Sequence, residues 1–241
     1  MAATQTTVRE IALQQPTSIR VFERFGIDYC CGGRKPLEQA CEERAIDPQT
    51  LLDALAEAVV AGGEDGRDWA KAPLGEICNH IVETHHAYIR AELPRLRFLA
   101  QKVVARHGET HPELKEIQQH VEAVGEELLQ HMQKEEVMLF PYITSLERSQ
   151  ENGARPVGCF GSIHNPIRVM MAEHDSAGNV VAQMRVLSGD FNPPEGACPT
   201  YRGFYQALLE FEMDLHQHVH LENNILFPNA IQMEDGEAAT L

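Results

Sequence analysis

The sequence predicts an all-α protein: an antiparallel four-helix bundle preceded by a small helical N-terminal domain. Three observations carry that reading. Four long amphipathic segments follow Pro73, at 73–106, 112–148, 163–188 and 198–232. The breaks between them, His107 to Pro112, Gln150 to Gly161 and Gly189 to Pro194, are rich in Gly, Pro and Asn, as short connections between antiparallel helices are. No stretch alternates apolar and polar residues in the manner of a half-buried strand.

The N-terminal elements are short and cut by breakers. Thr7 to Gln14 runs up to Pro16, Ser18 to Phe25 runs up to Gly26, and Pro36 and Pro48 each open a further helix, the last reaching Ala61. Proline in a first turn and glycine past an end punctuate helices in this way. Gly62-Gly63-Glu64-Asp65-Gly66 is polar and glycine-rich, so it reads as a linker. The expected organisation is a small helical domain over 1–62, a linker over 63–72 and a bundle over 73–241. A domain as small as the first buries little core alone.

Each bundle segment carries an apolar stripe at helical spacing, and in each a histidine takes an apolar place. The first reads Val82, His86, Ile89, Leu93, Leu96. The second reads Val121, Val124, Leu128, His131, Glu135, Met138. The third reads Ile167, Met170, His174, Ala177, Val181, Met184, and the fourth Phe211, Leu215, His218, Glu222, Ile225. His85 falls on a less apolar stripe with Cys78 and Glu92. His216 and His220 share a face turned away from His218, because alternate residues diverge on a helix.

The second and fourth segments hold one eleven-residue pattern in identical register. His131 is followed by Glu135 and Leu139-Phe140-Pro141, and His218 by Glu222 and Leu226-Phe227-Pro228. An i,i+4 pair shares a helix face, so each copy presents an imidazole beside a carboxylate. Burying four histidines and two glutamates without a cation needs a large satisfied network, since an unpaired buried carboxylate costs several kcal/mol. Two divalent ions need only these groups and a bridging oxygen. Imidazole with carboxylate suits iron, manganese or zinc, a thiolate-free set disfavours copper(I), and zinc usually stays four-coordinate with one ion per site. The order differs from the ferritin-like Glu-x-x-His, in which the carboxylate comes first.

The remaining composition excludes several functions. A net charge of −16, from 20 basic and 36 acidic residues, argues against a nucleic-acid backbone binder and against docking on an anionic membrane. No apolar run approaches a membrane span. The opening MAATQTTVRE lacks a basic then apolar signal pattern, so a cytoplasmic location is expected. The six cysteines, at 30, 31, 41, 78, 159 and 198, form no C-x-x-C, which disfavours a zinc ribbon and leaves mostly free thiols.

The His-x-x-x-Glu-x-x-x-Leu-Phe-Pro repeat with two further lone histidines resembles the hemerythrin-like bundle. The oxygen carriers of that fold normally use five histidines, including an His-x-x-x-His pair on the third helix. Here the third segment offers His174, with His164 ten residues away on another face. That departure disfavours oxygen carriage. Asp28-Tyr29-Cys30-Cys31-Gly32-Gly33, ahead of such a bundle, resembles the iron–sulfur cluster repair (RIC) di-iron proteins. The likeness extends over nearly the whole chain, through Glu173-His174-Asp175 and Leu221-Glu222-Asn223-Asn224. It implies that His86, His131, Glu135, His174, His218 and Glu222 hold two iron ions per chain with an oxo or hydroxo bridge. The distance to Leu93-Pro94 favours His86 over His85. It further implies a homodimer, damaged iron–sulfur proteins as partners, and NO or O2 as small ligands.

Two features keep two readings each. Cys30 and Cys31 are either small apolar residues at a helix end stopped by Gly-Gly, or exposed thiols at a glycine-rich turn that act in redox exchange or iron transfer. Glu127 and Glu173 are either solvated helix charges, or carboxylates that orient ligands and line a path for iron or protons. The expected function is repair of clusters damaged by nitrosative or oxidative stress, through iron delivery. Reduction of NO at the same di-iron centre, which would make the protein an enzyme, and a gas sensor or carrier are the alternatives.

Overall fold

The computed structural model describes residues 6–15, 17–30, 32–61, 69–152 and 156–238. Pro16, Cys31 and the expected linker residues 63–68 lie outside them. Among the described residues regular structure is helical throughout, apart from one isolated bridge between Thr7 and Pro36. The chain forms two compact units. The first comprises 1–73 and 216–229, the second 74–215 and 230–241.

The first unit contains α1 (Val8–Gln14), α2 (Ser18–Phe25), α3 (Leu37–Glu43) and α4 (Pro48–Ala61). Thr7 begins α1 with a reciprocal cap. Its hydroxyl accepts from the Glu10 amide at 3.2 Å, and Glu10 accepts from the Thr7 amide at 2.9 Å. Such a cap is worth about 1 kcal/mol. The next free amides of α1 are met by the loop before α3: Val8 donates to the Lys35 carbonyl and Arg9 to that of Gly33, at 3.1 and 2.8 Å. Val8, Phe22, Tyr29, Leu37, Cys41 and Leu51 are the most deeply buried of its core.

Residues 216–229 extend this unit. Gln217 donates to Glu23 at 2.8 Å, and Arg9 to the Asn223 carbonyl at 3.3 Å. The buried Tyr29 ring meets His216 and His220 edge-on, and its hydroxyl donates to Glu23 at 3.0 Å. The first unit thus makes hydrogen bonds and ring contacts with a segment nearly two hundred residues downstream.

Long helices form the bundle. The first runs from α5 (Leu74–His80) through a π-helical turn (Ile81–His86) into α6 (Ala87–His107). The second runs from α7 (Glu113–Lys134) through a π turn (Glu135–Leu139) into α8 (Phe140–Asn152). The third is α9 (His164–Leu187). The fourth runs from α10 (Pro199–His220) through a π turn (Leu221–Leu226) into α11 (Phe227–Ala238). Within the second unit α5 packs on α8, α6 on α7, and α7 on α9. The first two helices are therefore antiparallel.

Two carboxylates fasten helix starts in this unit. Glu147 of α8 accepts from the Leu74 and Gly75 amides at 2.6 and 3.0 Å, satisfying donors that the start of α5 leaves open. Glu234 of α11 accepts from Tyr142, Ser162 and the Ile163 amide at 2.7, 2.7 and 3.1 Å, which anchors the start of α9. No helix among the described residues is long and apolar enough to cross a membrane.

The three π turns alter the stripes read from the sequence. A π turn takes about one residue more than an α turn, so the inward position moves on by one. The second stripe, expected to continue at Met138, continues at Leu139: Met138 is 42% exposed and Leu139 1%. In the first stripe Val82 is half-buried while Ile81 is buried, and His85 is buried beside His86.

Candidate metal centre

Each π turn holds one of the residues expected to bind metal. His86 closes the first, Glu135 opens the second, and Glu222 is the second residue of the third. His131 and His218 sit one turn earlier on α7 and α10, and His174 sits mid-way along α9. All six are buried, none more than 2% exposed.

These side chains form two groups. One comprises His86, Glu135, His218 and Glu222, the other His131, Glu135, His174 and Glu222, and within each the ligand atoms lie within 4.8 Å of one another. Glu135 and Glu222 belong to both. Glu135 turns one oxygen to His86 Nε2 at 3.4 Å and the other to His131 Nε2 at 3.2 Å. His174 Nε2 lies 2.9 Å from His131 Nε2, and His218 Nε2 lies 3.1 Å from Glu222.

The chemistry of these donors fits a cation pair. Glu136 accepts from His86 Nδ1 at 2.6 Å, and Arg90 holds that carboxylate at 2.9 Å. Glu173 accepts from His131 Nδ1 at 2.8 Å and is paired with Lys134. A proton fixed on Nδ1 turns the Nε2 lone pair inward, the standard way a carboxylate prepares a ligating imidazole. Burial raises the Glu173 pKa, but hydrogen bonds from Lys134 and His131 outweigh it and hold the carboxyl below its usual value. Imidazole lone pairs and carboxylate oxygens thus converge where water is excluded, the setting of a di-metal site.

The other candidate residues fall elsewhere. Glu127 is exposed on α7 and accepts from Ser176 at 3.4 Å. Glu173 is half-exposed and stands at the edge of the site, against His131. Cys30 lies in the loop after α2 rather than at a helix end, 5% exposed, and Cys31 lies outside the described residues. Sequence reasoning passed over Glu136, whose one signal was its place beside Glu135. It also set aside His85, whose Nδ1 lies 2.9 Å from Asp214 of α10.

Comparison with known proteins gives matches over both parts of the chain. Residues 79–230 match the hemerythrin HHE cation-binding domain, and residues 4–59 match ScdA_N, a domain of unknown function (DUF542). The iron-sulfur cluster repair protein YtfE of Pectobacterium atrosepticum is 37% identical over 97% of this chain and 100% of its own. Proteins of the same name from Edwardsiella ictaluri and Yersinia pseudotuberculosis are 38% and 36% identical. They cover 92% and 93% of this chain and 95% and 96% of their own.

Proposed function

Because this chain belongs to the YtfE family of iron–sulfur cluster repair proteins, with its hemerythrin HHE domain, we propose that it rebuilds clusters damaged by nitrosative or oxidative stress by delivering iron from a di-iron centre. The observation that carries this reading is the sharing of Glu135 and Glu222 by both groups of buried ligands. His86 and His218 then serve one ion, and His131 and His174 the other. Two histidines per ion with shared carboxylates leave coordination positions open, as redox iron requires and closed structural sites do not. When bound, iron supplies a redox-active pair whose hold on its ligands weakens on reduction.

The residues around the ligands divide the remaining work. Glu136 and Glu173 orient His86 and His131 and keep each Nδ1 proton in place. Glu127 stands at the surface one turn before His131, a position suited to an acidic path for departing iron rather than to ligand support. Cys30 and Cys31 are assigned to redox exchange or iron transfer, a role supported by the Cys30 thiol lying against Asp28.

Anaerobic reconstitution of an NO-damaged iron–sulfur dehydratase tests the proposal. Iron-loaded protein is expected to restore more activity than the same amount of free ferrous iron. Equal recovery would overturn iron delivery. Sustained nitrous oxide production with an electron donor and without iron loss would assign the centre to NO reduction instead.

A further inference from the structure

Asp28, Cys30 and His216 bring a carboxylate, a thiol and an imidazole together within the first unit, with their ligand atoms within 4.8 Å of one another. None of them is among the six buried ligands. His216 lies two residues before His218, about 200° round an α-helix, and its ring meets Tyr29, the residue between Asp28 and Cys30.

The loop holds Asp28 in place before any ion arrives. One carboxylate oxygen accepts from the Cys30 amide at 2.9 Å and the other from the Gly32 amide at 2.8 Å. The two glycines permit this winding. A Cβ on Gly32 would stand 2.9 Å from the Asp28 carboxylate, and one on Gly33 would stand 2.4 Å from the Tyr29 carbonyl oxygen. The Cys30 thiol donates to the first carboxylate oxygen at 3.2 Å. Metal–ligand bonds of about 2.0–2.3 Å place neighbouring donors of a tetrahedral ion about 3.3–3.8 Å apart. The thiol and carboxylate therefore already stand near the edge length of such a site.

We propose that Asp28, Cys30 and His216 form a third metal site, which takes one divalent transition-metal ion of borderline softness such as ferrous iron or zinc. One thiolate, one imidazole and one carboxylate suit such ions and disfavour calcium or magnesium. On binding, the thiol proton leaves to solvent, a metal–sulfur bond forms, and the Asp28 oxygen exchanges the S–H for the ion. Three protein ligands leave a position for an exchangeable donor, which fits an ion held in passage rather than locked in. The site does not depend on the di-iron reading, since it shares no residue with that centre.

The test uses the full chain with its di-metal centre already loaded with iron, titrated anaerobically with cobalt(II). One further cobalt per chain is expected, with a near-ultraviolet sulfur-to-cobalt charge-transfer band and no loss of iron. Cys30→Ser should abolish the band, and Cys31→Ser should keep it. His216→Gln, at a partly exposed position with little folding risk, should weaken binding at least tenfold. Absence of the band in the unaltered protein would overturn the site, as would its survival in Cys30→Ser or its loss in Cys31→Ser. Failure of cluster repair would leave this readout unmoved.

Discussion

The Nε2 atoms of His131 and His174 face each other at 2.9 Å, while Glu173 holds the other nitrogen of His131 at 2.8 Å. A pair of imidazoles turned nitrogen to nitrogen, with Glu135 3.2 Å from one of them, is an arrangement that a cation stabilises. Removal of Glu173 should therefore act on metal binding rather than on folding. Glu173→Gln is expected to lower affinity for one ion about 10–100-fold, the usual cost of losing a carboxylate behind a ligating histidine. Glu127→Gln should leave affinity unchanged. Competition with a chelator of known strength checks both.

Glu136 gives the matching prediction for the other ion. Glu136→Ala removes the partner of His86 Nδ1 and leaves Arg90 without its carboxylate. Affinity for one ion should fall about tenfold or more, and Arg90→Ala should have a smaller effect because Arg90 pairs with Glu136, which itself still reaches His86. Equal effects from the two variants would refute the ordering.

The shared carboxylates predict a different stoichiometry from the histidines. His174→Ala should halve the metal content, whereas Glu135→Gln should deplete both positions. Adding metal should therefore raise the Tm of Glu135→Gln less than that of the parent. Ion binding at a hundredfold excess over Kd is worth about 2.7 kcal/mol, so calorimetry with and without chelator resolves the difference.

Glu234 offers a stability test away from the metal centre. It accepts from Tyr142, Ser162 and Ile163, and leaving buried donors unmet costs about 1–3 kcal/mol each. Glu234→Ala should lower unfolding free energy by roughly 3 kcal/mol, read from the denaturant midpoint, with metal content retained. A change below about 1 kcal/mol would show that water replaces the carboxylate.

Much of this was legible in the residues themselves. Proline and glycine marked the short N-terminal helices to within a residue or two, and 3.6-residue periodicity picked out the six side chains that the structure brings together. The π turns were not legible, because a periodicity argument assumes one constant turn. That assumption placed Met138 inward and His85 off the stripe. Glu136 was missed for a related reason: it is an exposed-looking charge whose importance comes from His86, on another helix and fifty residues earlier. The meeting of Asp28 and Cys30 with His216 depends on a packing contact across most of the chain, to which local pattern is blind.

Mössbauer spectroscopy of protein loaded anaerobically with isotopically enriched iron, then oxidised, tests the shared-carboxylate centre most directly. The predicted result is a pair of irons in each chain, magnetically coupled through common bridges, with both irons depleted in Glu135→Gln. A single iron per chain, or a pair that behaves as isolated ions, would contradict the account.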